Sequence, residues 1–87
     1  MKKHVKVYMK HFGYGEQDII MDELGDGVAV DIHHIVLKSQ GGKDEIGNLI
    51  ALSRRNHDAA HLKLPDKVIT RDYLLGVVEA RDGEKAT

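Results

Sequence analysis

The sequence predicts an α+β fold: a small core of strand, long loop, strand and helix, with an N-terminal extension before it and a further helix after it. Three observations carry that expectation. Residues 28–37 (VAVDIHHIVL) are β-branched and apolar behind a glycine-rich turn. Residues 48–52 (NLIAL) repeat that character over a shorter run. Residues 53–64 (SRRNHDAAHLKL) then switch to good helix formers behind a serine suited to cap them.

Taken in order, residues 5–12 (VKVYMKHF) alternate loosely at period two, which fits a strand, but a short helix fits nearly as well. Gly13 and Gly15 break that segment. Residues 16–24 are short and ambiguous, and Gly25-Asp26-Gly27 signals a turn. The strand 28–37 follows. Residues 38–47 (KSQGGKDEIG) hold three glycines and several polar residues, hence a loop, with Gly41 and Gly42 permitting positive φ. The second strand and the helix come next, and Pro65 ends the helix. Thr70 can cap a last helix over about 70–82, in which Tyr73, Leu74, Val77 and Val78 share a face. The tail from Gly83 is expected to fray.

The 87 residues are expected to form a single domain, 1–87, with the motif core at 28–64 and one hydrophobic core. Only four aromatics occur and no Trp, so that core is aliphatic and thin. Cores of this size commonly need a staple. The absence of Cys excludes disulfides, Cys-ligated zinc, iron–sulfur clusters and thiol catalysis. Six histidines remain, so a metal, if one helps, is held by imidazole and carboxylate. No apolar run approaches the roughly 18 residues that span a bilayer, which predicts a soluble, cytoplasmic protein with no membrane partner. Net charge is −1, yet Lys2, Lys3, Lys6 and Lys10 cluster without an acid, and Glu16, Asp18, Asp22, Glu23 and Asp26 cluster without a base.

Four histidines fall inside the core unit: His33 and His34 on the first strand, His57 and His61 on the helix. Positions i and i+4 lie about 40° apart around a helix and one turn along it, so His57 and His61 leave the same face. That spacing offers two nitrogens to one ion. One strand histidine could complete three protein ligands, leaving an open position for water or substrate, as in a catalytic site. A single histidine is more often structural, and His4 and His11, lacking partners at such spacing, are read that way.

The run from Asp31 to His61, DIHHIVLKSQGGKDEIGNLIALSRRNHDAAH, resembles the motif of the HNH endonucleases, the ββα-metal or His-Me finger nucleases. The resemblance lies in the His-His-Ile of the first strand, the Gly-Gly of the loop, the Asn-Leu entering the second strand and the His-x-x-x-His of the helix. It implies that His34 is the general base, that His33, His57 and His61 are the metal ligands, and that Asn48 fixes the long loop and helps orient the base. It also implies one divalent ion (Mg²⁺, Mn²⁺, Ni²⁺ or Zn²⁺), DNA as substrate, and cleavage leaving a 5′-phosphate and a 3′-hydroxyl.

Imidazole suits this chemistry, since its unperturbed pKa near 6.5 lets it take a proton from water at neutral pH. Neighbours on a regular strand point to opposite faces. For His33 and His34 to serve one site, the strand end is therefore expected to be twisted or bulged. Arg54, on the stripe of His57 and His61, is placed to meet a phosphate or to be solvated in the first helical turn. Asp31 either orients a ligand imidazole through its second nitrogen or stands as an exposed strand carboxylate. Many domains of the family bind a structural zinc through two CxxC pairs; the corresponding segments here are Asp22-Glu23-Leu24-Gly25 and Ser53-Arg54-Arg55-Asn56, without cysteine. Two competing functions stay open: a catalytically inactive nucleic-acid-binding module of the same fold, and a small metal-binding structural protein. So short a chain offers little surface for base readout, so specificity is expected to need a dimer or a partner protein.

Overall fold

Of the two conformations open to the N-terminal segment, the chain takes the helical one. The structure is a computed structural model and describes residues 1–86; Thr87, the end of the expected tail, lies outside them. Helix α1 spans Lys3–Phe12. Val5, Tyr8 and Phe12 fall at i, i+3 and i+7, which is one stripe of a helix, and this stripe packs inward with Tyr8 buried. Gly13, at φ 74°, ends the helix in the left-handed region, and the Tyr14 N–H reaches back to the Met9 carbonyl at 2.8 Å.

Strands β1 (Asp31–His34) and β2 (Leu49–Leu52) pair antiparallel in an unbroken register, with Asp31 opposite Leu52 and His34 opposite Leu49. The first strand is shorter than the expected 28–37. Val28 bridges Met21 instead, and Ala29 donates to the Ile20 carbonyl, so residues 20–29 form their own hairpin around the turn at Gly25 and Gly27. Past His34, Ile35 still donates to the Asn48 carbonyl, but the Val36 backbone is taken by the Asn48 side chain.

The two faces of the β1–β2 ladder carry separate cores. Ile35, Ile50 and Leu52 pack with Ala59, Ile69, Leu74 and Val78, while Ile32, Leu49 and Ala51 pack with Tyr8 of α1. Burial on both sides explains why β2 reads as an unbroken apolar run. Each fully buried Leu or Ile there contributes about 1.5–3 kcal/mol.

Helix α2 runs Arg54–Ala60, with Ser53 as N-cap, its Oγ accepting from the Asn56 N–H. It stops well before Pro65. His61 is the C-cap, Leu62 follows at φ 60°, and Leu62 and Lys63 donate to the Ala59 and Asp58 carbonyls at 3.2 and 2.9 Å. This is the Schellman closure with a leucine where glycine is usual. Helix α3 spans Arg71–Ala86, and Tyr73 donates to Thr70 Oγ1 at 3.1 Å as the cap requires. It continues past the expected end near residue 82. Leu74 and Val78 are buried, but Tyr73 is 58% exposed and lies off the packed face. Arg81 anchors α3 through the carbonyls of Leu49 and Ile46 at 2.9 and 2.8 Å, and through Glu23 at 3.0 Å.

The segments that correspond to the CxxC pairs meet in space. Buried Asp22 accepts from the backbone N–H of Ser53 and from Asn56 Nδ2, while Asn56 also donates to Asp26 and accepts from Lys67 Nζ at 2.7 Å. A polar network therefore joins the 20–29 hairpin to the start of α2.

Candidate functional site

The ladder's alternation sends His33 and His34 to opposite faces of β1, the first toward α2 and the second toward α1. No bulge interrupts the strand, since the register is regular. Both residues nevertheless line one cleft of about 500 Å³, because the cleft wraps around β1 and takes side chains from both of its faces. Lys2, Lys3 and His4 from α1, Leu37, Lys38 and Asp44 from the loop, and His57 and His61 from α2 complete much of its wall.

On the α2 side, His33, His57 and His61 each offer a ring nitrogen, and these nitrogens lie within 4.8 Å of one another. Ring centroids are 5.5 Å apart for His33–His57, 5.1 Å for His33–His61 and 4.5 Å for His57–His61. His61 reaches this point although it caps α2 rather than lying within it. His33 is only 5% exposed, and burial, reinforced by the neighbouring His61 and His57, pushes its pKa down to about 4. His57 is held below its ordinary value by burial first and by His61 second. His33 is thus neutral at physiological pH, with a lone pair to offer, as a metal ligand must be. Asp31 Oδ2 stands 3.2 Å from His57 Nε2.

On the α1 side, His34 Nε2 lies 2.7 Å from Asp44 Oδ1. That bond, with a further one from Lys38 at 3.2 Å, holds the Asp44 carboxyl below the usual carboxylate range. A carboxylate only accepts, so in the neutral ring the proton sits on Nε2 and Nδ1 keeps the lone pair. Asn48 braces the loop that carries Asp44: its Oδ1 accepts from Val36 N–H at 2.7 Å, and its Nδ2 donates to the carbonyls of Val36 and Lys43 at 3.0 Å. The loop closes tightly there. A Cβ on Gly42 would fall 1.7 Å from the Val36 carbonyl oxygen, so close approach requires this glycine, whereas Gly41 alone of the pair takes positive φ.

Arg54 does not line the cleft. It is exposed at the first turn of α2 and makes no ion pair among the described residues, yet it lies near enough to His57 to disfavour its protonation. None of Glu16, Asp18, Asp22, Glu23 and Asp26 lines the cleft. Asp44, His4 and Lys38 had no sequence signal of their own; Asp44 is one polar residue among several after the paired glycines, and His4 is far away in the chain.

The model of the HNH endonuclease family matches residues 21–63, just under half of the chain. These residues form an HNH endonuclease domain. Asp31, His33, His34, Asn48, Arg54, His57 and His61 all lie within it, and Lys2, Lys3 and His4 lie outside. No curated protein and no solved structure matched the chain. The match points to a nuclease-type function in general; the family implies a nucleic-acid substrate, and its domains typically use one divalent ion.

The residues present fit such an ion. The donor set is three converging imidazoles with a carboxylate beside them. Nδ1 of His57 is buried and makes no hydrogen bond among the described residues, and an unpartnered buried nitrogen costs about 1–3 kcal/mol. An ion or ordered water near such a ring is the usual compensation. No helix among the described residues is long and apolar enough to cross a membrane.

Proposed function

We propose that the HNH domain is a divalent-metal-dependent endonuclease that hydrolyses phosphodiester bonds in DNA, working as one unit with α1 and α3. The observation that carries this reading is the division of one cleft between three converging imidazoles and a fourth histidine paired with a carboxylate.

In this reading His33, His57 and His61 hold one divalent ion, and Asp31 orients His57 through Nε2. The ion, when bound, supplies positive charge to the scissile phosphate and the leaving oxygen. His34 takes the proton of the attacking water at Nδ1, the nitrogen left bare by the Asp44 bond. Asp44 fixes the ring and stabilises the imidazolium that results, the job a carboxylate does beside any histidine base. Asn48 keeps the loop, and with it Asp44, in place. Lys2, Lys3 and the unpaired Arg54 attract neighbouring phosphates, which positions the strand without reading its bases. The His33 ring stays neutral, so it remains a ligand at neutral pH.

Mg²⁺, Mn²⁺, Ni²⁺ and Zn²⁺ are all candidate ions, with three imidazoles suiting the transition metals better than Mg²⁺. The domain cuts without strong sequence preference, any specificity needing a second copy or a partner protein, and the site of action is the cytoplasm. Plasmid nicking with each metal tests the reading, with EDTA and His34→Ala as controls. Metal-dependent nicking abolished by both is expected. Binding of DNA that falls steeply with salt, without nicking in any metal, would assign the domain to the inactive binding modules instead.

A further inference from the structure

The cleft holds a second set of donors that shares no member with the first. His4 on α1, His34 on β1 and Asp44 in the loop each offer one ligand atom, and these atoms lie within 4.8 Å of one another. The His4 and His34 rings stand 4.3 Å apart between centroids, at 47° to each other, and His34 Nε2 is 2.7 Å from Asp44 Oδ1. All three side chains are half-buried and all three line the cleft. His4 lies outside the matched HNH segment, so α1 brings a ligand that the segment itself does not contain.

We propose that His4, His34 and Asp44 form a second, inhibitory site for a transition-metal dication of the Zn²⁺ class. Two imidazoles and one carboxylate are the nitrogen and oxygen ligands that Zn²⁺ takes at about 2.0–2.2 Å. Mg²⁺ disfavours such a set, since it asks for oxygen ligands in octahedral array and keeps much of its water. Tetrahedral coordination at those bond lengths sets the donors roughly 3.4 Å apart, so side-chain rotations suffice to close the set. Lys38 must leave Asp44 as the ion enters, and its Nζ, on an exposed side chain 3.2 Å from Oδ2, can swing into water. Lys2 and Lys3 on the same wall repel a cation, which makes this the weaker of the two sites.

The consequence rests on the reading of His34 as the base. A neutral imidazole has one lone pair. An ion that takes it leaves none for the attacking water, whichever ring nitrogen binds. Zn²⁺ at low level leaves His34 available; at higher level it fills the second site and stops hydrolysis.

Calorimetric titration of the full chain with Zn²⁺ counts the sites without reference to activity. Two sites per chain are expected, with one in His4→Ala, one in His4→Phe, which keeps a ring against His34 but no donor, and one in the His57→Ala/His61→Ala double variant. A single site in the unaltered chain, or two in a folded His4 variant, overturns the proposal. Plasmid nicking as Zn²⁺ rises above the level that fills the first site reads the consequence. The His4 variants should keep at least tenfold more activity than the unaltered chain where the second site fills. Inhibition that persists undiminished in them overturns the inhibitory role. A chain that nicks in no metal while the site count behaves as stated rejects the nuclease reading alone and leaves the second site standing.

Discussion

Asn56, fully buried at the start of α2, donates from Nδ2 to Asp22 Oδ2 at 2.9 Å, joining positions 34 residues apart. The contact lies where related domains carry cysteines on zinc, and here hydrogen bonds take over the joining of the two segments. Burial opposes the charge on Asp22, but the bonds it accepts from Ser53, Asn56 and Leu24 outweigh this and hold its carboxyl below the ordinary value. Asp22→Ala strands the Ser53 N–H and part of the Asn56 amide, so a loss of about 3 kcal/mol is expected. Thermal melting should fall by 10 °C or more on the usual scaling for a domain this size, about 4–8 °C per kcal/mol. A shift under 3 °C would show that the network adds little.

Acid should unfold the metal-free protein through the histidines of the cleft. Folding lowers the His33 pKa from an ordinary 6.5 to about 4. The unfolded chain therefore takes up a proton between those values that the folded chain refuses. Above pH 6.5 the effect vanishes; as pH falls through the window, up to about 3 kcal/mol is lost. His57, held down by burial and by His61, adds to the loss with the same sign. Melting followed from pH 7 to pH 4 in EDTA should drop steeply, and His33→Asn should flatten the slope. Metal-supported nicking should decline across the same window as the ligands protonate.

Asp44→Asn replaces an acceptor with a group that can present either end to His34. Nicking should slow by about 10²–10⁴-fold, up to the loss seen when the carboxylate beside a triad histidine becomes an amide. Nicking at the unaltered rate would remove Asp44 from the mechanism.

Leu62 sits at φ 60° and is 70% exposed, so its side chain gives little in return for a strained backbone. The left-handed region costs a residue with a Cβ about 1–2 kcal/mol. Leu62→Gly should raise the melting temperature by a few degrees, while Leu62→Val, β-branched, should lower it. The opposite order would mean that the side chain matters more than the turn.

Ending the chain after Ile69 removes Leu74 and Val78 from the larger core and Arg81 from the Leu49 and Ile46 carbonyls. Each buried aliphatic contributes about 1.5–3 kcal/mol, and small domains are marginal. Loss of the cooperative melting transition is expected, and unchanged melting would show that α3 is dispensable.

The sequence carried the core of this arrangement because its signals are local. Ser53 caps α2, His57 and His61 sit one turn apart, and Asn48 opens β2, all readable over a few residues. What escaped depends on contacts between distant segments. Val28 leaves β1 for Met21, and α2 stops early because Leu62 turns the chain without the glycine that would announce it. His4 and Asp44 are forty residues apart in the chain and meet only because α1 lies against one face of the ladder.

Alternation along β1 has a further effect on how such a chain can change. Asp31 and His33 belong to the α2 half of the molecule and His34 to the α1 half, so in the proposed roles this four-residue strand separates ion holding from proton handling. A single-residue insertion or deletion within that strand would exchange the two assignments at once. Drift within the strand is therefore confined to substitution.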